Sequence, residues 1–490
     1  MTTVTTQLGS ITGKSENDIQ MFLGVPYAKP PVGERRFRAP ELHGPWSGRL
    51  DATRLGNRAM QPENPMGPPS AEAYSEDCLT VDIYTPAADS RARPVLFWIH
   101  GGAYYIGSGN DHDGSTLAAQ GNVVVVTVNY RLGVFGFLDL SKYDDALAGS
   151  VSNGFRDQIL ALTWVRDNIA DYGGDPNNVT IFGESAGGSS VNALLAAPSA
   201  DGLYHRAIAH SGTAITNPPS PLASQLAAYL KVDEDELLTH LKQLSAEDLL
   251  AAQLGSGVLG EGCVDGVVVT RNTYQAIAER GARGVPYIAG SNRDEGTFMT
   301  SFAPEGTVLD PMTAVLGAKP FDLLAESAEP DEYLAALKEA YPEATDKTLY
   351  QRIYTEMFRR AAIRTSEAVT TAGSSGWLYR FDLPSSVMDG ALGATHGCEV
   401  AFTFNDYAHP EISRIPFAHY HDPEDPVVRQ LAEQWSNTIL AFARTGDPNS
   451  AGLPNWPPYS ADQREVMMLD AASRIEHDPD NELRERWGDE

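Results

Sequence analysis

Ser185 lies between two glycines in IFGESAGG (181–188), directly after a short apolar run. A serine hydroxyl is a weak nucleophile at neutral pH: a base must take its proton, and an acid must hold that base in the right tautomer. Glycines beside a serine permit a sharp, strained turn that lifts the hydroxyl clear of the fold, a nucleophile elbow. The competing reading is an ordinary glycine-rich turn. What separates the two is whether a base, an acid and a site for developing negative charge lie elsewhere in the chain.

A base that follows the nucleophile in chain order should come late, on a loop beyond a strand. His396, in DGALGATHGCE (389–399), follows the strand-like GWLYRFDL (376–383) and is flanked by small residues. His409, His419, His421 and His477 also come late, but sit among prolines and acids that read as exposed loop. His210, in RAIAHSG (206–212), falls in an apolar strand and reads as a packed core histidine. Glu295 follows the strand-like VPYIAG (285–290) and is a candidate acid; Asp294 beside it is the other, and spacing does not separate them. Two glycines end a buried strand in FWIHGGAYYIGSG (97–109), where backbone N–H groups can face an oxyanion, as in the HGGG-type loop of esterases and lipases.

The elements that must carry these residues alternate. RPVLFWIH (93–100) and NVVVVTVNY (122–130) are apolar throughout, as strands covered on both faces are. Residues 155–176 show helical spacing and end at Gly173-Gly174 and Pro176; a strand at 178–185, a helix from Ala186 and a strand at 206–212 follow. This order predicts an α/β fold: a parallel sheet with right-handed crossovers and helices on both faces. Amphipathic stretches at 215–280 and 325–373 read as helical insertions within one catalytic domain spanning 1–490, the first packed on the sheet. A last helix covers 427–445, and the proline- and glycine-rich 60–77 reads as a surface loop.

Composition narrows the class. The chain has 490 residues, 42% hydrophobic, with 36 basic against 65 acidic side chains and a net charge of −29. That balance disfavours nucleic acid and anionic membrane surfaces as partners. The amino terminus lacks a basic segment leading into an apolar one, and the apolar runs are too short to span a bilayer. Cys78, Cys263 and Cys398 cannot all pair with one another and show no metal-site spacing. A cytoplasmic protein with free thiols is the expectation; the sequence specifies no oligomeric state.

Taken together, the chain resembles the type-B carboxylesterases, the family of cholinesterases and bacterial p-nitrobenzyl-esterase-like enzymes. The resemblance rests on FLGVPYAKPPVGERRFRAPE (22–41), SEDCLTVDIYTP (75–86), WIHGGAYYIGSG, NYRLGVFGFL (129–138), the stretch 161–188, RAIAHSG, NRDEGTF, HGCE and FARTGDPN (442–449). It implies an α/β-hydrolase fold and Ser185, Glu295 and His396 as nucleophile, acid and base, so Glu295 is preferred to Asp294. It implies oxyanion donors at Gly102, Ala103 and Ala186, with Gly101 allowing close approach; Ala103 stands where relatives carry a third glycine. Glu184 and Ser211 match positions that support the acid in relatives.

Two departures stand out. In secreted relatives the cysteine of SEDC pairs with one upstream, whereas nothing upstream of Cys78 is a cysteine, so a buried thiol is expected. No tryptophan lies between Trp46 and Trp98, so the quaternary-ammonium site of cholinesterases is missing. The implied activity is hydrolysis of neutral short-to-medium acyl esters through an acyl-enzyme, without metal or organic cofactor, rising with pH through an ionisation at about 6–7. The alternatives are the same triad acting on carbamate, amide or thioester bonds, or a non-catalytic binding or adhesion relative.

Overall fold

The computed structural model describes residues 1–63, 70–280, 284–301, 330–415, 420–450, 452–479 and 481–485. Its parallel strands follow the chain in order. They are β8 (Arg93–Ile99), β9 (Val124–Val128), β10 (Gly174–Glu184), β11 (Arg206–His210), β12 (Tyr287–Asn292), β13 (Gly376–Phe381) and β14 (Glu465–Leu469). Across the sheet they lie in the order β9-β8-β10-β11-β12-β13-β14, every neighbouring pair parallel. β15 (Arg474–His477) closes one edge antiparallel. On the other edge β7 (Thr80–Thr85), β3 (Ile19–Pro26), β2 (Gly9–Glu16) and β1 (Thr2–Thr6) continue it antiparallel, with β4 (Arg49–Asp51) against β2. β5 (Arg58–Ala59) and β6 (Tyr74–Ser75) form a separate pair.

Alternation along β8 explains why its sequence is apolar throughout. Val95, Phe97 and Ile99 point to one face, where helices Asn153–Asn168 and Ala186–Ala196 supply Phe155, Trp164, Val165 and Val191. Leu96 and Trp98 point to the other, against Trp435, Ile439 and Phe442 of helix Pro426–Thr445. Both faces are covered, as parallel sheets require. The last helix starts at Pro426, with the Asp425 side chain accepting from Val427 N–H as its cap.

The helices Leu222–Leu230, Glu234–Gln243 and Ala246–Ser256 do not pack on the sheet as expected. Leu226, Leu237, Leu241 and Leu249 gather instead with Val134, Phe135 and Leu138 in a cluster of their own. An amphipathic pattern calls for an apolar partner and does not say which one. Further helices cover Thr273–Arg280, Pro330–Ala340 and Asp346–Thr371. Within 60–77, read as surface, Met60, Gln61 and Glu76 are buried; residues 64–69 lie outside the described residues. Among the described residues no helix is long and apolar enough to cross a membrane.

Candidate active site

Because β8 and β10 to β13 run in parallel, their carboxyl ends share one edge of the sheet, where crevices form in such folds. Gly101 follows β8, Ser185 follows β10, Ser211 follows β11, Glu295 follows β12 and His396 lies on the long connection after β13.

Ser185 has φ 56° and ψ −121°, a conformation that L residues hold only where the surroundings impose it. Its N–H donates to His210 O at 2.9 Å, tying the turn to β11. The flanking glycines are required by contact: a Cβ on Gly187 would lie 2.0 Å from Ile99 O, and one on Gly183 2.6 Å from the same atom. Strand-turn-helix packing at that distance admits no side chain, which answers why glycine brackets this serine. Helix Ala186–Ala196 starts at the next residue, so its N-terminal partial positive charge faces the hydroxyl.

His396 is buried, and its Nδ1 lies 2.5 Å from Glu295 Oε2. The other carboxylate oxygen of Glu295 accepts from Ser211 Oγ at 2.5 Å and from Asn292 N–H at 2.7 Å. Of the two neighbouring acids, Glu295 is the one that meets His396. Asp294 turns elsewhere: its Oδ2 accepts from Ala394 N–H at 2.9 Å, and its own N–H donates to Ala394 O at 2.9 Å.

Glu184 does not reach the acid. Its Oε1 lies 3.2 Å from His396 Nε2, so it and Glu295 flank the two ring nitrogens. Burial pushes the Glu184 carboxyl up to about 7, with His396 pulling it down. Burial lowers His396, but Glu184 and Glu295 outweigh it and hold the imidazole up at about 9. Sequence reasoning missed Glu399, three residues beyond His396 in HGCE. It accepts from Asn292 Nδ2 at 2.6 Å, and Ser211 Oγ lies 3.4 Å from its other oxygen. Burial and then Glu295 raise it to about 8. Phe358, from helix Asp346–Thr371, was missed as well: its ring stacks on His396 at 4.7 Å between centroids and 28° between planes. No local motif marks it.

The glycine loop carries more unusual backbone. Gly102, Ala103 and Tyr104 take φ of 107°, 51° and 62°. A Cβ on Gly101 would lie 2.7 Å from Glu184 O and 3.1 Å from Ser185 Cβ, so the loop touches the elbow. Among the described residues no hydrogen bond engages the N–H of Gly102 or Ala103. Ala186, as the first helical residue, has no partner for its N–H within the helix.

The remaining candidates fall elsewhere. His210 is a core residue, as read: its Nδ1 meets Tyr379 Oη at 2.7 Å and its ring lies beside Trp98 and Trp435. His421, read as exposed, is buried between Tyr407 and Leu383 O. His409 and His477 are exposed. Near the glycine loop, Tyr104 packs into the core on Phe137 and Phe155, while Tyr105 is half-buried, as is Met299 after Glu295. Phe302 and His419 lie outside the described residues.

Comparison with known proteins places the whole chain in one family. A profile of the carboxylesterase family matches residues 1–487. The chain is similar to the para-nitrobenzyl esterase of Bacillus subtilis (strain 168), 39% identical over 99% of this chain and 98% of that protein. It is also similar to human (Homo sapiens) carboxylesterase 3, 35% identical over 93% and 85%. The crystal structure of Geobacillus stearothermophilus carboxylesterase EST55 at pH 6.2 superposes with a TM-score of 0.87 at 37% identity, covering 99% of this chain and all of that one. Shared sequence over the full length and a shared α/β-hydrolase fold have one common meaning: the chain belongs to the carboxylesterase family and is a carboxylic-ester hydrolase.

Proposed function

We propose that Ser185, His396 and Glu295 form the triad of this esterase. His396 takes the Ser185 proton as Oγ bonds to the ester carbonyl carbon. The oxyanion is held by the N–H groups of Gly102, Ala103 and Ala186 and by the adjoining helix terminus. The carbonyl re-forms, the bond to the leaving alkoxide breaks, and His396 hands it the proton. Water then attacks the acyl-serine with His396 again as base, releasing the acid and restoring Ser185. Glu295 fixes the tautomer, Ser211 and Asn292 hold Glu295, and Gly101 leaves room for the loop beside the serine.

The observation that carries this reading is the 2.5 Å contact from His396 Nδ1 to a carboxylate that two further donors hold in place. The substrates we propose are neutral esters with short-to-medium acyl chains. A net charge of −29 disfavours anionic esters, and no tryptophan stands between Trp46 and Trp98, where cholinesterases carry the one that favours choline. We further propose one catalytic domain, with 215–280 and 325–373 inserted in it, working in a reducing compartment such as the cytoplasm. The three unpaired cysteines support the latter.

Ser185→Ala tests the nucleophile. The variant should fold normally and lose about 10³-fold or more in kcat on p-nitrophenyl acetate. An organophosphate should label Ser185 in the wild type; near-normal turnover in the variant would remove the serine from the mechanism.

A further inference from the structure

Gln61 makes with Gly107 the pair of hydrogen bonds that two strand residues exchange. Its Oε1 accepts from Gly107 N–H and its Nε2 donates to Gly107 O, both at 2.8 Å. A third bond, Nε2 to Ala59 O at 3.1 Å, fixes the amide, which is buried. The segment carrying Gln61 is itself anchored. Asn110 Nδ2 donates to Gly56 O at 2.9 Å, and Arg58 Nη1 donates to Asp111 Oδ2 at 3.0 Å.

Gly107 closes the turn that begins at Gly101. Within it, the N–H groups of Tyr105 and Ile106 both donate to Gly102 O at 3.0 Å. A Cβ on Gly107 would lie 2.4 Å from Gly101 O, and one on Gly102 would lie 2.1 Å from Ile106 O. The two ends of the turn are in contact, so Gly107 cannot move without moving Gly101 and Gly102. The entering end continues from β8, with His100 Nδ1 2.8 Å from Gly101 O. Beyond the turn, Asn129 Oδ1 accepts from Ser108 Oγ and Gly109 N–H. At the closing residue itself, Gln61 meets both backbone polar groups. Left-handed conformations at Ala103 and Tyr104 need such outside support to persist.

We propose that Gln61 is a positioning residue for ester hydrolysis: through Gly107 it holds the turn whose N–H groups at Gly102 and Ala103 face the oxyanion. The proposal rests on the reading of those two groups as oxyanion donors. An apolar residue of similar length would leave the part-buried Gly107 N–H and C=O without the amide that now meets both, and the turn would relax toward other partners. Displacing donors by about 1 Å is enough to cost on the order of 10²-fold in rate.

The test uses Gln61→Met and Gln61→Glu in the full chain, both checked by circular dichroism and thermal unfolding. Turnover of p-nitrophenyl acetate is measured beside inhibition by a trifluoromethyl ketone, which forms an oxyanion adduct with a serine. The unfluorinated ketone of the same skeleton reports binding without that adduct. For Gln61→Met the expected result is kcat reduced about ten- to a hundredfold and KM within about twofold. Affinity for the fluorinated ketone should fall by a similar factor, with the unfluorinated one unchanged. Gln61→Glu keeps an acceptor for Gly107 N–H and should lie between; it also carries the test if the methionine variant does not fold. Variants within about twofold of wild type in kcat and fluoroketone affinity would overturn the assignment, as would an equal loss for both ketones. A wild type that does not discriminate between the ketones would overturn the oxyanion reading and this proposal together. Discrimination in the wild type that the variants retain would overturn this proposal alone.

Discussion

Glu184 Oε1 lies 3.2 Å from Nε2 of His396, the nitrogen that receives the serine proton in the proposed triad. With Glu295 at Nδ1, the ring is held between two carboxylates in a buried site. Burial lowers the imidazolium, but Glu184 and Glu295 reverse the sign and hold it up at about 9, while burial holds Glu184 up at about 7. The two groups titrate together, so what kinetics reports belongs to the pair. Only the neutral imidazole accepts a proton, so a raised pKa delays its appearance as pH rises. The ascending limb of kcat/KM should therefore lie above the value of about 6–7 expected of an ordinary histidine. Glu184→Gln removes one of the two charges and should move that limb to lower pH. A pH–rate profile that stays put, or moves upward, would mean that Glu184 is already neutral in the working enzyme.

Glu295 and Asp294 are neighbours in sequence with different partners, and their variants should rank accordingly. Glu295→Gln presents a donor to His396 Nδ1 and favours the wrong tautomer, so kcat should fall about 10³- to 10⁴-fold. Asp294→Asn keeps an oxygen for Ala394 N–H and should cost no more than about tenfold. Steady-state turnover of the two proteins, purified in parallel, makes the comparison; the reverse ranking would transfer the acid to Asp294.

Cys78, Cys263 and Cys398 are free and buried, and burial pushes the thiols of all three upward. Thiol reagent should react slowly with the native protein and with three equivalents once it is denatured without reductant. One equivalent in denaturant would reveal a disulfide and count against a reducing compartment.

What the sequence made legible follows from how local each signal is. Ser185, the glycine loop and the strand ends announce themselves because glycine at forced contacts and unbroken apolar runs leave few alternatives. β1 and β2 escaped because their buried positions are interrupted by polar ones at a sheet edge, as in GSITGKSE. Glu399, Asn292, Gln61 and Phe358 act through partners from 38 to 188 residues away, at Gly107, Ser211, Glu399 and His396. Such pairings exist only after folding. Tyr104 makes the same point: it follows the loop glycines and Ala103 in the sequence, yet its backbone is left-handed and its ring packs into the core on Phe137.

Phe358 lies flat against His396, with Phe298 at 6.4 Å between centroids, so the imidazole proposed as base has aromatic contact as well as Glu295. Such ring pairs contribute about 0.5–1.5 kcal/mol, more where the imidazole carries charge. That range reaches about tenfold in rate if the contact persists into the transition state. Truncation to alanine would confound the result, because removing a buried phenylalanine costs about 3–5 kcal/mol of stability. Leucine keeps much of the volume and removes the flat face. Phe358→Leu should therefore lower kcat on p-nitrophenyl acetate by up to about tenfold with KM within about twofold, whereas Phe358→Tyr, which keeps the ring, should stay near wild type. If leucine matched wild type in kcat, the stacked ring would be packing that happens to lie beside the base, and the carboxylates alone would orient His396.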